Sequence, residues 1–513
     1  MPPITDPAPA STGPSGPDVA LATELLDPAA RDHSVERFRD AGIRLPTFAE
    51  LRDPSTIDPE IVETLEAVDR NVPDARNLFR VHWYNRWQRP GFTDVPDHIE
   101  LPPALTGVPA RIVLALGDRF PMITAHKVLA AYSCLAPRIV TGSFDPTVHR
   151  AIWPSTGNYA RGGVAISRIM ESHGVAVLPA GMSQERFDWL ERWTLDPSTD
   201  IIRTPGTESN VKEIYDACIE LDKDPGTVVI NQFCEFANYL GHRTITGPAL
   251  ADVFETATAS RPGTLRAFVS ATGSAGTIAA GDHLKERYGA EIVAAEALEC
   301  PTMLENGFGE HNIQGIGDKH IPLIHNVMNT DVVTAISDQV TDQLDVLFQT
   351  ETGRAYLTGE LGLDPEFVAT LAHLGYSSIC NAASAIAYAH LRGLGADDVV
   401  VTVATDGSAL YDSGRAPIIE RDFGGEFTAA DAAATFAKHL GDPSTHAILD
   451  LDDRGRRRIF NLGYFTWVEQ LDLDIETFEA RSEQSWWDAM VPHVDTWDAL
   501  IADFNDRTGV TIA

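Results

Sequence analysis

Positive charge is scarce in this chain of 513 residues, and lysine is its rarest basic residue. Lysine and arginine together number 39 against 74 aspartates and glutamates, which gives a formal net charge of −35, and only six of the 39 are lysines. Such an excess of negative charge repels nucleic-acid backbones and anionic lipid headgroups. The composition therefore argues against nucleic acid or a membrane surface as a partner.

Cysteines and long apolar runs are also few. The five cysteines, at positions 134, 218, 234, 300 and 380, are widely scattered and form no CxxC pair, so neither a zinc site nor a disulfide framework is expected. No apolar run approaches the roughly 18 residues of a membrane-spanning helix. The first residues also lack the basic and apolar regions of a secretory signal. We expect a soluble, cytoplasmic protein without a bound metal.

The residue pattern divides the chain into four parts. Residues 1–17 are rich in proline, serine, alanine and glycine and are predicted to be a disordered tail. Residues 18–95 alternate amphipathic pieces with proline and aspartate breaks, which predicts an N-terminal helical extension. In residues 96–424, runs such as "RIVLAL" and "DDVVVTVATDG" alternate with helical segments, which predicts βαβ units and a parallel sheet. Residues 425–513 carry aromatics at near-helical spacing and are interpreted as a C-terminal helical appendage.

One of the six lysines stands in an unusual place. Lys127 lies in "DRFPMITAHKVLAAY", between a turn-like "RFP" and an apolar run that should be buried. A lysine there either extends its amine out of a helix to water or takes part in chemistry.

A glycine-containing turn follows one of the predicted strands. In "VSATGSAGTIAAGDHLK" an apolar run precedes the loop, and an amphipathic helix follows it. The loop consists of Gly273, Ser274, Ala275, Gly276 and Thr277. Backbone N–H groups at such a loop and helix N-terminus form an anion cradle, to which the two hydroxyls add donors. The alternative is an ordinary tight turn between a strand and a helix.

A second loop of small and polar residues feeds a helix in "IWPSTGNYARGGVAI". Ser155, Thr156, Gly157 and Asn158 offer hydroxyls and N–H groups to a carboxylate. Serine and threonine at helix starts are also ordinary helix caps, so this loop alone is a weak signal.

A third turn ends the strongly apolar strand in "VVVTVATDGSALYDSG" with Thr405, Asp406 and Ser408. Polar residues just beyond the carboxyl ends of parallel strands face the ligand crevice. The alternative is a solvated loop.

Together these segments supply the groups that pyridoxal phosphate needs: an amine for an imine, a polar group beside the ring and a cradle for the phosphate. In this combination the chain resembles the fold type II pyridoxal phosphate enzymes, and most of all the cysteine synthase and cystathionine β-synthase family. The matching segments occur in the family's order: "TAHK", "STGNY", "NQFCEFANYLGHRTITGPA", "GSAGT", "HNIQGIG" and "GYSSICNAA".

The resemblance implies an α/β fold like that of the tryptophan synthase β subunit. Two lobes would each hold a mainly parallel sheet flanked by helices, and residues 96–424 would form the catalytic core, with a smaller lobe at about 130–235 inserted in the larger one. It also implies a homodimer that acts on a small amino-acid substrate.

The implied activity is β-elimination or β-replacement on a small amino acid with a leaving group at Cβ, by way of an aminoacrylate. One alternative is a deaminating ammonia-lyase of the serine or threonine dehydratase kind. The segment "HNIQGIG" and the "NQF" segment favour the cysteine synthase branch over this alternative. The other is a non-catalytic relative that binds the cofactor and a partner protein.

By the same resemblance, Lys127 forms the imine with pyridoxal phosphate and acts as the base at Cα, while Asn158 donates to the phenolic oxygen of the cofactor. The loop 273–277 would hold the phosphate.

The substrate carboxylate would be bound by the second loop. Ser155, Thr156 and Gly157 are the implied contacts, and Gln232 of the "NQF" segment assists from across the cleft.

Two departures from the family pattern concern the site. Tyr159 stands where the family has a small threonine, and Arg161 follows it; they either narrow the pocket, recognise a second anionic group or face away. Asp406 stands nearly where the family places a serine or threonine against the pyridine nitrogen, with Thr405 and Ser408 as alternatives. A carboxylate would keep that nitrogen protonated and make the cofactor a stronger electron sink.

Overall fold

The computed structural model describes residues 21–87, 91–155, 157–207, 209–441 and 447–512. The predicted tail, residues 1–17, and Thr156 of the second loop lie outside the described residues.

Eleven strands are described. They are β1 (His98–Leu101), β2 (Arg111–Leu116), β3 (Arg150–Pro154), β4 (His173–Pro179), β5 (Ile201–Thr204), β6 (Thr227–Val229), β7 (Thr264–Ala271), β8 (Glu291–Ala297), β9 (Val332–Ile336), β10 (Asp398–Ala404) and β11 (Ala447–Asp450).

Helices separate the strands and flank both ends. Before β3 they are α1 (Pro28–Ala41), α2 (Phe48–Arg52), α3 (Pro59–Leu65), α4 (Pro103–Thr106) and α5 (Lys127–Thr141). Between β3 and β7 they are α6 (Asn158–Ile169), α7 (Gln184–Trp193), α8 (Pro197–Asp200), α9 (Val211–Leu221), α10 (Phe236–Gly241) and α11 (Gly247–Ala259). Up to β11 they are α12 (Ala280–Tyr288), α13 (Thr302–Glu305), α14 (Asp338–Gln349), α15 (Glu351–Gly359), α16 (Pro365–Thr370), α17 (Tyr376–Arg392), α18 (Asp412–Phe423) and α19 (Ala429–His439). The last are α20 (Asp453–Trp467), α21 (Ile475–Ala480), α22 (Gln484–Met490) and α23 (His493–Thr508).

The larger sheet has seven strands in the order β1-β2-β10-β7-β8-β9-β11. Its five inner strands are parallel, and β1 and β11 pair antiparallel at the two edges. Every residue of β2 is buried, and so is nearly all of β10. Continuous apolar strands of this kind are typical of a parallel sheet covered by helices on both faces.

The smaller sheet has four parallel strands in the order β5-β4-β3-β6. The predicted α/β fold with two mainly parallel sheets flanked by helices is therefore confirmed. The loops after β7 and β10 lie at the carboxyl ends of neighbouring parallel strands of the larger sheet. The helix after β3 of the smaller sheet meets them there, because its first residue, Asn158, donates to Asp406 at 2.6 Å.

Helices from the first and last described segments pack on each other and on α5. Arg31 of α1 donates to the carbonyl of Leu500 in α23 at 3.1 Å, and the rings of Phe48 and Trp497 lie 5.5 Å apart. Tyr132 of α5 donates its hydroxyl to a backbone carbonyl in the segment between α1 and α2. The terminal segments thus support the helix that begins with Lys127. No described helix is both long and apolar enough to cross a membrane.

Candidate active site

Lys127 is the first residue of α5, and its amine points to the glycine-containing loop. Its Nζ donates a hydrogen bond of 3.1 Å to Oγ of Ser274. Removal from water lowers the pKa of Lys127 to about 8, although the negative charge of Asp318 opposes this shift. An amine extended into solvent would keep its ordinary pKa. The amine of Lys127 is therefore buried beside the glycine-containing loop and does not extend into solvent.

The backbone just before Lys127 is strained. Met122 and Thr124 have φ values of 66° and 50°, a region that side chains other than glycine rarely adopt. Ala125 forms an isolated antiparallel bridge with Asp406, which follows β10. Backbone strain of this kind persists only where the surroundings hold it, and it clusters at functional sites.

The loop after β7 has the geometry of an anion cradle. Ala275 has a φ of 62°, and a Cβ at Gly273 would lie 2.9 Å from the carbonyl oxygen of Gly315. A Cβ at Gly276 would overlap the side-chain amide of Asn238. Neither glycine position therefore admits a side chain without displacing its neighbours, and the N–H of Gly276 donates to Oγ of Ser274 at 3.4 Å. The loop precedes the helical turn that leads into α12, where backbone N–H groups favour an anion.

His126 connects the lysine to this loop, a link that the sequence did not indicate. Its Nε2 lies 2.9 Å from Oγ1 of Thr277, and its ring stacks on that of Trp83 at 5.3 Å. Burial lowers the pKa of His126 to about 3, and the charge of Lys127 adds to this. The imidazole is therefore neutral and holds the loop in position by hydrogen bonding.

Asn158 begins α6 at the crevice. Its Nδ2 donates to Oδ2 of Asp406 at 2.6 Å, and its Oδ1 accepts from Nη1 of Arg161 at 3.0 Å. Because a guanidinium can only donate, the Arg161 contact fixes which way the amide of Asn158 faces. The structure thus joins two predicted site residues, Asn158 and Asp406, in one hydrogen-bonded pair.

Asp406 is fully buried at the end of β10. Both of its carboxylate oxygens accept from the hydroxyl of Tyr411, at 3.1 and 2.9 Å. Burial raises the pKa of Asp406, while the charge of Arg186 and the hydrogen bond from Asn158 oppose that shift. The carboxylate is held by several donors and removed from solvent.

The two alternatives to Asp406 are placed differently. Ser408 donates its hydroxyl to the carbonyl of Ala372 at 3.2 Å. Thr405 is partly exposed, and its carbonyl accepts from the N–H of His126 at 3.4 Å. Of the three candidates for the pyridine nitrogen, Asp406 is the one whose side chain contacts Asn158.

The described part of the second loop is buried. Oγ of Ser155 accepts from the N–H of Gly157 at 3.0 Å, a hydrogen bond within the loop that precedes α6. Gln232 is also buried, and its backbone carbonyl accepts from Nδ2 of Asn238 at 3.2 Å. Asn238 reaches Oγ of Ser274 at 3.4 Å as well, so it connects the Gln232 segment to the glycine loop.

Tyr159 belongs to the interior of the smaller lobe. It is 1% exposed, its hydroxyl donates to the carbonyl of Ile230 at 3.3 Å, and its ring lies 5.3 Å from that of Trp153. Tyr159 therefore packs between α6 and the smaller sheet.

Arg186 of α7 is a site residue that the sequence did not suggest. It is fully buried and donates from Nη2 to the hydroxyl of Tyr411 at 3.1 Å. The same Nη2 lies 3.9 Å from Oδ2 of Asp406, and Nη1 donates to the side chain of Gln314. No motif surrounds Arg186, although its partner Gln314 lies in "HNIQGIG", one of the segments that match the family.

The site combines a lysine amine of lowered pKa, a glycine-containing loop after β7 and a buried carboxylate after β10. These groups define a protein that binds a phosphorylated cofactor through an amine. The chain belongs to the family "Pyridoxal-phosphate dependent enzyme", whose model matches residues 103–406, more than half of its length. The cofactor and the enzyme class expected from the sequence are confirmed.

Individual relatives are more distant. A probable cysteine synthase from Bacillus subtilis (strain 168) is 28% identical over 215 residues, which are 42% of this chain and 66% of that protein. Cysteine synthase B from Campylobacter jejuni is 29% identical over 186 residues, 34% of this chain and 57% of that protein. The chain therefore spans less than two thirds of the length of either curated relative.

Solved structures share the fold at lower identity. The O-acetylserine dependent cystathionine β-synthase from Helicobacter pylori is 20% identical with a TM-score of 0.51, and the match covers 62% of this chain and 94% of that one. O-acetyl serine sulfhydrylase isoform 3 from Entamoeba histolytica is 20% identical with a TM-score of 0.52, covering 67% and 93%.

The described residues fit pyridoxal phosphate by the chemistry of their groups. Lys127 supplies the amine, and the glycine-containing loop that its amine contacts has no room for side chains at Gly273 and Gly276. Asp406 supplies a buried carboxylate that suits a protonated ring nitrogen.

Proposed function

We propose that the protein catalyses β-elimination or β-replacement on a small amino acid that carries a leaving group at Cβ. The observation that carries this proposal is the buried network in which the Lys127 amine faces the glycine loop, with Asn158 and Asp406 paired across the same crevice. The cysteine synthase relatives support the proposal at the level of reaction class.

Each residue has a defined part in this scheme. Bound pyridoxal phosphate would supply an electron sink that makes the Cα–H bond of the substrate more acidic. Lys127, neutral in part near pH 7 because its pKa is lowered, takes the Cα proton. The leaving group departs from Cβ with its bonding electron pair. In replacement, a nucleophile then bonds to Cβ and Lys127 returns the proton to Cα.

The substrate carboxylate is assigned to the second loop. Ser155 and Gly157 lie at the start of α6, where N–H groups and the helix dipole favour an anion. Gln232 lies on the segment that Asn238 connects to the glycine loop. Thr156 is proposed for the same role by its place in the motif.

An absorbance scan of the holoenzyme tests the proposal. O-acetylserine, cysteine, serine and threonine are added in turn, and a new band at longer wavelength identifies the substrate that loses its leaving group. Release of a keto acid and ammonia would identify elimination, whereas a new amino acid formed with added sulfide would identify replacement. A protein that shows no spectral change with any of the four would not have this activity.

The expected homodimer and cytoplasmic location are part of the same proposal. Sedimentation analysis of the holoenzyme measures the first, and cell fractionation the second.

The rate at which the apoenzyme takes up the cofactor should rise with pH to a midpoint near 8. Only the neutral amine is nucleophilic, and burial lowers the pKa of Lys127 to about 8. Below that pH the rate should fall about tenfold per pH unit. The measurement is the appearance of the cofactor's visible band, with a lysine peptide as the control for titration of the cofactor itself. A rate that climbs until pH 10, as for an ordinary lysine, would contradict this prediction.

Replacing Gly276 with aspartate should weaken cofactor binding by at least about tenfold. The new Cβ would overlap the amide of Asn238, and the carboxylate would repel the phosphate dianion. Equilibrium dialysis measures the affinity, and Gly276→Ala separates the steric effect from the charge. Gly359→Asp adds the same side chain at an exposed position with open space around it and is the matched control. Equal affinity in wild type and Gly276→Asp would show a plain structural turn.

A further inference from the structure

Arg161 is a buried cation whose contacts are with neutral groups. It is 2% exposed, donates to Oδ1 of Asn158 and to the carbonyl of Ile123, both at 3.0 Å, and leaves Nε without a hydrogen-bond partner. Trp189 offers its ring face at 5.0 Å. Among the described residues no carboxylate lies within ion-pair distance of this guanidinium.

The surroundings disfavour the charge on Arg161. Burial and, to a smaller extent, the nearby charge of Arg186 lower the pKa of Arg161 to about 9, while Asp406 acts in the opposite direction. A buried charge is costly unless an opposite charge accompanies it. The site therefore favours an additional anion.

The position of the two arginines shows where that anion would sit. Arg161 follows Asn158 by one helical turn on α6. Arg186 lies directly against the second loop, because a Cβ at Gly157 would be 2.6 Å from its Nε. The phosphate of the cofactor has its own cradle at the glycine loop on the larger lobe. The arginines thus border the substrate's end of the crevice.

We propose that Arg161 and Arg186 form a subsite for a second oxyanion, a phosphate, sulfate or carboxylate group that enters with the substrates in addition to the α-carboxylate. This inference rests on the proposed function, whose substrate class it narrows. Guanidinium groups bind such oxyanions through paired, charge-assisted hydrogen bonds. The anion would also compensate the buried charge of Arg161.

The oxyanion is carried either by the leaving group or by the incoming nucleophile. In the first case Lys127 takes the Cα proton, the Cβ–O bond breaks and phosphate leaves with the electron pair. In the second case a thiolate with a remote carboxylate forms the new Cβ–S bond, and the proton returns to Cα. Neither step changes the oxidation state of the substrates as a pair.

Two kinetic comparisons on the holoenzyme distinguish these sources. The first compares O-phosphoserine with O-acetylserine, using sulfide as the nucleophile. The second compares mercaptoacetate with 2-mercaptoethanol, using O-acetylserine as the donor. We expect kcat/KM for the anionic member to exceed that for the neutral member by at least about tenfold in one of the comparisons.

The Arg161→Gln variant should reduce that ratio by at least about tenfold. Because the ratio compares two substrates on one protein, damage to Asn158 or to cofactor binding cancels. Arg192→Gln removes an exposed arginine from α7 and should leave the ratio unchanged. An equal ratio in wild type and Arg161→Gln, or no preference for the anionic member in either comparison, would overturn the proposed subsite.

A binding measurement keeps the subsite testable without turnover or a stable variant. Inorganic phosphate and sulfate are titrated into wild-type holoenzyme by calorimetry, since the bound cofactor already fills the glycine cradle. Saturable binding, competitive with the amino-acid substrate, supports the subsite, and its absence overturns it. A protein that binds these anions but turns over no serine derivative would refute the proposed function and leave the subsite standing.

Discussion

Replacing Lys127 with alanine should abolish the visible absorption of the bound cofactor and reduce turnover by at least about a thousandfold. In the proposed scheme the amine is the group to which the cofactor attaches, and general-base catalysis alone contributes roughly 10²- to 10⁴-fold. The structure places Nζ 3.1 Å from Ser274 on the glycine loop, so no rearrangement of the chain is needed to bring amine and cradle together. Absorbance and steady-state rate are measured on the same preparation.

Few other lysines are available to replace it. The chain contains six in all, and Lys438 lies exposed on α19 with its amine on Gln339. Lys438→Ala is the matched control and should keep both the absorption and the rate. Lys127→Arg retains a positive charge without an amine and should behave as the alanine variant does. Full activity in Lys127→Ala would remove Lys127 from the proposed chemistry altogether.

The sequence predicts the fold well because the fold depends on local patterns. The apolar runs that became β2 and β10 are continuous, so they indicate strands buried on both faces. The glycine loop after β7 is equally local, since glycine is required where a neighbouring chain lies too close for a Cβ. Strand, loop and lysine could therefore be placed from the order of the residues alone.

Other features depend on packing between distant segments. Arg186 stands in "QERFDWLERW", where arginine and glutamate are typical of the solvated face of an amphipathic helix. Only the packing of α7 against the larger lobe brings its guanidinium to Tyr411 and Asp406. In the same way β11 is a short run within the predicted helical appendage, and its pairing with β9 is a long-range contact. No local pattern distinguishes these residues from surface ones.

Tyr159 and Arg161, the two residues at the start of α6 that depart from the family pattern, have different surroundings in the structure. Tyr159 packs in the interior of the smaller lobe, whereas Arg161 contacts Asn158. The sequence left three possibilities open for the two residues, namely narrowing the pocket, recognising a second anionic group or facing away, because neighbouring positions on a helix meet different surroundings. Of these two residues, Arg161 is therefore the one whose side chain joins the hydrogen-bonded pair of Asn158 and Asp406.

Replacing Asp406 with serine should leave cofactor attachment intact and slow exchange of the substrate's Cα proton by about 10- to 100-fold. A carboxylate that pairs with a protonated ring nitrogen stabilises negative charge at Cα more than a hydroxyl can. Loss of one charged hydrogen bond corresponds to about 1.5–3 kcal/mol, which is the basis of that range. The measurement is deuterium exchange at Cα in heavy water, normalised to the amount of bound cofactor.

Replacing Asp406 changes the contacts of several neighbouring side chains, so the serine variant needs matched controls. Its carboxylate accepts from Asn158 and Tyr411 and lies 3.9 Å from Arg186, so serine also removes partners from these groups. Asp406→Asn keeps the shape and some of the hydrogen bonds without the charge, and it should slow exchange as much as serine does. Ser408→Ala, which loses only a hydrogen bond to a backbone carbonyl, should exchange at nearly the wild-type rate.

The hydrogen bond between Asp406 and Asn158 allows a different role for Asp406, in which it only positions Asn158. If Asp406 serves only to orient Asn158, the carboxylate does not touch the ring nitrogen. Asp406→Asn, which can still pair with Asn158, would then exchange at the wild-type rate, while a change at Thr405 or Ser408 would slow it. That pattern would assign the ring nitrogen to a hydroxyl, as in the family this chain resembles. Slow exchange in both Asp406→Ser and Asp406→Asn would instead show that the charge itself acts on the cofactor.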